Sequence, residues 1–317
     1  MWNGKKNKVP NLTGSIQQFR QTICEAKMRA QHQGESVIEG LDVYDLTTDF
    51  PSKLKLRIYK PLSPEANGAV MIYFHGGGWA MGDLEGEDST CRTLCVQIGL
   101  NIVSVDYRLA PENPHPAAIQ DSITALRWVY HTCLCRKGLG IANSTSVDRS
   151  SKTVLPMALT RVRFTLAGPV LGQTWYDIPM LSGTRTVLCL SEPHYQRMGL
   201  KSMDQFADTP ILNQPLMKQF LEWYQPYDQT DPTVSPLLFR RLDASPPCFI
   251  MICGRDPLRD EALAYADKLE EKGYMRVAVY SGMPHAFWIL PELTTTKTAT
   301  QDLIDGVRWL MGSANWK

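Results

Sequence analysis

The chain has 317 residues, is 44% apolar and 21% charged, and carries a formal net charge of +1. That supplies enough apolar material for a sizeable core and too little charge for a dedicated nucleic-acid or membrane-surface binder. No apolar signal core follows Met1-Trp2-Asn3-Gly4-Lys5-Lys6 and no run reaches the length of a membrane span, so the expected location is the cytoplasm.

In chain order, Ile16, Phe19, Ile23 and Met28 recur at helical spacing between Ser15 and His32, which predicts an N-terminal amphipathic helix. Two strands follow, Leu41 to Leu46 and Leu54 to Tyr59, around a turn at Asp49-Phe50-Pro51-Ser52. Ala69 to Phe74 is an apolar strand. A helix from Ser89 to Ile98, the strand Asn101 to Asp106, and a helix running from Pro116 through Tyr130 come next. Further on, the strand Cys248 to Cys253 precedes a helix from Asp260 to Lys272. The strand Arg276 to Tyr280 and a helix from Gln301 to Met311 close the chain. Strands alternating with helices predict an α/β fold, a mostly parallel sheet flanked by helices on both faces. One domain is expected over 1–317, with 1–35 as an N-terminal helical addition.

Eight cysteines would suit a disulfide framework in a small secreted protein, but an intracellular domain of this size keeps free thiols. Cys91 and Cys95 are four apart on a predicted helix and share a face. Cys133 and Cys135 have no His/Cys pair downstream at zinc-site spacing, so no metal is expected.

The chemistry concentrates in loops after strands. The Ala69–Phe74 run ends in His75-Gly76-Gly77-Gly78-Trp79. A strand ending in glycines lets bare backbone N–H groups face a cleft, where they can hold the oxyanion of acyl transfer. Asp256 follows one late strand in Gly254-Arg255-Asp256-Pro257-Leu258, and His285 follows the next in Gly282-Met283-Pro284-His285-Ala286-Phe287. An acid and then a histidine, each just after a strand, is the order of an α/β-hydrolase triad. The imidazole takes the nucleophile's proton, and the carboxylate fixes its tautomer.

These motifs, with Asp106-Tyr107-Arg108-Leu109-Ala110-Pro111-Glu112 and Asp256-Pro257-Leu258-Arg259-Asp260-Glu261, resemble the hormone-sensitive-lipase branch of the α/β-hydrolases, the GDXG lipolytic enzymes. Within that branch the chain is similar to fungal esterases that trim short acyl esters from secondary metabolites. The resemblance covers most of 35–131 and 163–312. It implies an α/β-hydrolase fold with an N-terminal cap element, a small-molecule ester as substrate, and no metal or organic cofactor. It also implies Gly76 and Gly77, within His75–Gly78, as oxyanion donors, Asp256 as the orienting acid and His285 as the base. Asp106-Tyr107-Arg108 would brace the glycine loop.

The same resemblance implies a Gly-x-Ser-x-Gly elbow after the Trp128 helix, and the chain has none. Residues 132–163 stand in its place, with six basic residues against the single acidic Asp148. This resembles a replaced stretch, such as a mis-joined exon or shifted frame. Family spacing from Trp128 puts the nucleophile at residues 149–151, so Ser150 is the candidate, in Asp148-Arg149-Ser150, with Ser151 behind it. Gly168-Pro169-Val170-Leu171-Gly172 has elbow-like glycine spacing with Val170 where a serine belongs, and it also fits the end of the family's following strand.

Three functions remain open on these residues. One is hydrolysis of a short-acyl ester. Another is base-catalysed cyclisation, isomerisation or dehydration of a carbonyl substrate using His285 and the glycine donors. The third is a catalytically impaired product lacking its nucleophile.

Overall fold

The computed structural model describes residues 14–31, 38–49, 53–63, 70–135, 164–167, 185–188, 199–238, 247–270 and 275–312. Among the described residues eight strands form one sheet, β1 Leu41–Thr47, β2 Lys55–Pro61, β3 Val70–Phe74, β4 Asn101–Asp106, β5 Phe164–Ala167, β6 Arg185–Leu188, β7 Cys248–Arg255 and β8 Met275–Pro284. Their spatial order is β1-β2-β4-β3-β5-β6-β7-β8. β2 runs against both of its neighbours, and every pairing from β4 through β8 is parallel.

Val-Met-Ile-Tyr-Phe in β3 and Ile-Val-Ser-Val in β4 are apolar on both sides because helices cover both faces of a parallel sheet. On one face α2 Asp88–Ile98 and α7 Thr294–Gly312 pack against Met71, Ile102 and Phe249. On the other, α3 Ala117–Cys135 and α6 Arg259–Glu270 cover Ile72, Val103, Val105, Ile250 and Ile252. α1 Ile16–Gln31 and α5 Gln214–Tyr224 extend that layer. A short helix, α4 Ser202–Gln205, precedes α5. Cys91 and Cys95 both lie on the buried face of α2. No described helix is long and apolar enough to cross a membrane.

The structure departs from the sequence expectations in several places. Residues 164–167 form β5, hydrogen-bonded directly to β3, so this segment takes the central place in the sheet instead of following an elbow strand. β6 arises from Arg185-Thr186-Val187-Leu188, a run too short for periodicity to reveal. α7 begins at Thr294, well before Gln301. Three successive threonines are poor helix formers, but the Thr296 hydroxyl donates to the Leu290 carbonyl at 2.8 Å and that of Thr300 to Thr296 at 3.0 Å. The bond from Thr296 back to Leu290 thus starts the helix about two turns before its amphipathic stretch.

Candidate active site

β3, β7 and β8 point the same way, so the loops leaving them rise from one edge of the sheet. That edge carries the ligand sites of open α/β folds. β7 and β8 start in step, from Cys248 opposite Met275 to Cys253 opposite Tyr280, and Arg255 then pairs with Pro284. Two steps along β7 are matched by four along β8, so β8 bulges through Ser281, Gly282 and Met283. Gly282 takes φ +78°, a conformation glycine adopts without strain. The bulge advances β8 by two residues and brings His285 level with Asp256.

The His285 Nδ1 lies 2.8 Å from Asp256 Oδ2. The other Asp256 oxygen accepts the Leu258 N–H at 2.9 Å, so the carboxylate is held on both sides. Asp256 is buried at 5% exposure while the His285 side chain keeps 20%. Burial pulls the imidazole pKa down, but the charge and hydrogen bond of Asp256 outweigh it, and the net shift is upward. With Nδ1 committed to the acid, Nε2 is the nitrogen left to exchange protons.

The glycine loop is fixed by its carbonyls. The Tyr107 hydroxyl donates to the His75 carbonyl at 2.7 Å, and His75 Nδ1 sits 2.9 Å from the Gly76 carbonyl. A trans peptide points its N–H opposite its C=O. Turning those two carbonyls inward therefore turns the Gly76 and Gly77 N–H groups outward. Neither N–H has a hydrogen-bond partner among the described residues. The His75 ring is fully buried and stacks on Tyr107 at 4.2 Å. Tyr107 is braced in turn, because its neighbour Arg108 grips the buried Asp121 of α3 through both backbone and guanidinium. The bracing expected of Asp106-Tyr107-Arg108 thus comes from Tyr107 and Arg108.

The glycines differ in what they need. Gly77 has φ +129° and a Cβ there would stand 2.3 Å from the Met81 carbonyl oxygen. Gly78 has φ +57° with the Phe220 ring 2.6 Å from a would-be Cβ. A Cβ on Gly76 would meet nothing within 4 Å, and Gly76 is exposed. The chain itself does not require glycine at 76, and the space left there opens onto solvent. Trp79, at φ +61°, is held in this strained region by stacking on Tyr224 at 4.4 Å.

Phe220 and Tyr224 belong to α5, an element absent from the sequence expectations. Its sequence signals are the helical spacing of Leu216, Met217, Phe220 and Tyr224 and the cap at Asn213: the Asn213 side chain accepts the Leu216 N–H at 2.9 Å, and proline early in the first turn is tolerated. Ser150 lies outside the described residues, as does all of 136–163. So does the stretch that continues from β5 as Gly168-Pro169-Val170-Leu171-Gly172.

A sequence profile of the α/β-hydrolase fold matches residues 71–155 and 182–289. The chain belongs to the α/β-hydrolase fold family. Within the family it falls in the hormone-sensitive-lipase-like branch. This α/β hydrolase is 35% identical to esterase LipI of Mycobacterium tuberculosis over 271 residues, 83% of this chain and 78% of LipI. It is 34% identical to an ethyl acetate hydrolase of Pseudomonas putida over 257 residues, 76% and 74% of the two chains. Among solved structures, vibralactone cyclase superposes with a TM-score of 0.76 at 25% identity, covering 98% of this chain and 93% of the cyclase. The α/β hydrolase is carboxylesterase-like by these relatives. The profile match breaks off between 155 and 182, across the end of the atypical stretch and the sequence on either side of β5.

Proposed function

We propose that this α/β hydrolase cleaves short-acyl carboxylic esters of small molecules, in fungal secondary metabolism. A serine oxygen attacks the acyl carbon while His285 Nε2 takes its proton and Asp256 holds the imidazole. Gly76 and Gly77 N–H groups receive the oxyanion. Collapse expels the alcohol with the proton returned by His285. Water then attacks the acyl-enzyme under the same base and releases the acid. Ser150 is the proposed nucleophile, and the scheme needs no metal or organic cofactor.

The observation that carries this reading is the 2.8 Å Asp256–His285 bond, on the same sheet edge as two outward glycine N–H groups. β3 and β7 are three strand spacings apart, about 14 Å. The Pseudomonas relative, an ethyl acetate hydrolase, favours a small acyl group. The fungal setting rests on the motif resemblance.

One observation favours a second reading. The sequence that leaves the central strand β5 carries Val170 between its glycines and no hydroxyl or thiol from Gly168 to Gly172. Without a serine, His285 could still take a proton beside a carbonyl whose enolate oxygen the glycine N–H groups hold. The structural likeness to a cyclase is compatible with that chemistry.

Turnover of umbelliferyl acetate and butyrate separates the two. Hydrolysis abolished by Ser150→Ala and His285→Ala supports the esterase. Hydrolysis that survives Ser150→Ala removes Ser150 from the scheme. No hydrolysis, with His285-dependent deuterium uptake beside the carbonyl of a β-keto ester in D2O, supports the second reading.

A further inference from the structure

Arg20 reaches from α1 to two loops distant in sequence. Its Nε donates to the Ala80 carbonyl at 3.0 Å and one Nη to the Ala110 carbonyl at 2.9 Å. The two Nη groups also grip the Glu112 carboxylate, at 2.7 and 2.9 Å. These acceptors are not scattered. Ala80 closes the turn whose first carbonyl, Gly77, accepts the N–H groups of Ala80 and Met81. Ala110 donates its own N–H to the Trp79 carbonyl at 2.9 Å. The glycine loop and the segment after Tyr107 therefore already touch at Trp79–Ala110, and the guanidinium clasps both beside that contact.

Glycines have no backbone preference of their own, so the direction of the loop's N–H groups depends on what holds its ends. Tyr107 and His75 fix the entry to the loop, and Arg20 fixes its exit. The guanidinium is delivered by a docked helix: Ile16 and Phe19 are buried, and Phe19 meets Trp223 edge-on at 5.2 Å. Glu112 has its pKa lowered from the ordinary carboxylate value, mainly by its hydrogen bond to Arg20. A lysine has one nitrogen at the end of its stem and cannot span two carbonyls and a carboxylate together.

We propose that Arg20 is a positioning residue for the glycine loop, which makes the N-terminal helix part of the site's working geometry. The inference rests on reading Gly76 and Gly77 as oxyanion donors. If Arg20 only tied α1 down, its loss would lower stability and leave the folded enzyme's kcat alone.

Arg20→Lys and Arg20→Ala are compared with the unaltered protein by ester kinetics and by amide hydrogen exchange at Met81 and Ala110. The clasp predicts a kcat lower by about tenfold to a hundredfold in both variants, KM little changed, and no rescue by lysine. It also predicts faster exchange at both amides. A lysine variant with unaltered kcat and unaltered exchange overturns the proposal. If the unaltered protein hydrolyses no ester, the esterase reading fails, and the exchange arm still decides whether Arg20 holds the loop. If the alanine variant does not fold, the lysine variant carries both measurements.

Discussion

The Tyr107 hydroxyl bonds the His75 carbonyl at 2.7 Å, and through that one peptide plane it sets the direction of the Gly76 N–H. A phenol on β4's exit loop thus aims a donor on β3's exit loop. Tyr107→Phe keeps the ring stacked on His75 and removes only the bond. The expected result is a kcat about tenfold to a hundredfold lower with KM nearly unchanged, and a stability loss of about 1 kcal/mol. Steady-state kinetics beside a urea melt measures both. An unaltered kcat would mean that Gly76 is aimed by something else.

Gly76 and Gly77 should separate cleanly. Gly76→Ala has room for its methyl group and no positive φ, so the fold should stay within about 0.5 kcal/mol. Ester turnover should drop about tenfold or more, because the methyl group, not a lost N–H, displaces the substrate from the donors. Gly77→Ala drives a Cβ into the Met81 carbonyl at φ +129°, and should cost about 2 kcal/mol or more. Equal stability losses in the two variants would contradict the assignment of Gly76 to the cleft.

His285 is the base only when neutral, and Asp256 raises its pKa above the ordinary 6.5. The acid limb of kcat/KM should therefore have its midpoint above that value. Asp256→Asn should move the limb downward and cut the plateau by about 10⁴-fold. Stability carries the matching sign. A raised histidine pKa stabilises the fold fully below 6.5, and the contribution fades as pH climbs through the folded-state value. The melting-temperature gap between the native protein and Asp256→Asn should therefore be wider at about pH 5.5 than at about pH 9. A gap independent of pH would argue against the coupling.

Gly306 tests the opposite face of the sheet. On helix propensity alone, alanine in place of this α7 glycine should stabilise the protein by about 1 kcal/mol. Its Cβ would stand 2.2 Å from the Phe249 ring, however, and overpacking costs about 1–3 kcal/mol. Net destabilisation is expected, with kcat of the folded protein unaffected. A higher melting temperature would show that Phe249 moves aside at no cost.

Much of this could be read along the chain. β3, β4, β7 and the helices between them follow from apolar runs and helical spacing, because each buries its own local pattern. The loops carrying His75–Gly78, Asp256 and His285 follow from their places just after strands. Where pattern is short or local propensity is overruled, the chain is silent. β6 has four residues, and α7 begins in three threonines, poor helix formers, of which Thr296 bonds back to the Leu290 carbonyl.

The sequence by itself determined the family, the alternation of strands with helices, and the residue types able to do acyl chemistry. Those depend on local pattern and on motif identity, which are one-dimensional. Only the tertiary structure decided that Phe164–Ala167 fills the place beside β3, and that a two-residue bulge sets His285 against Asp256. It also decided that Tyr107, His75 and Arg20 hold the glycine loop by its carbonyls. These are matters of register and of hydrogen bonds between segments tens of residues apart. Their geometry exists only once the sheet has closed and the helices have docked upon it.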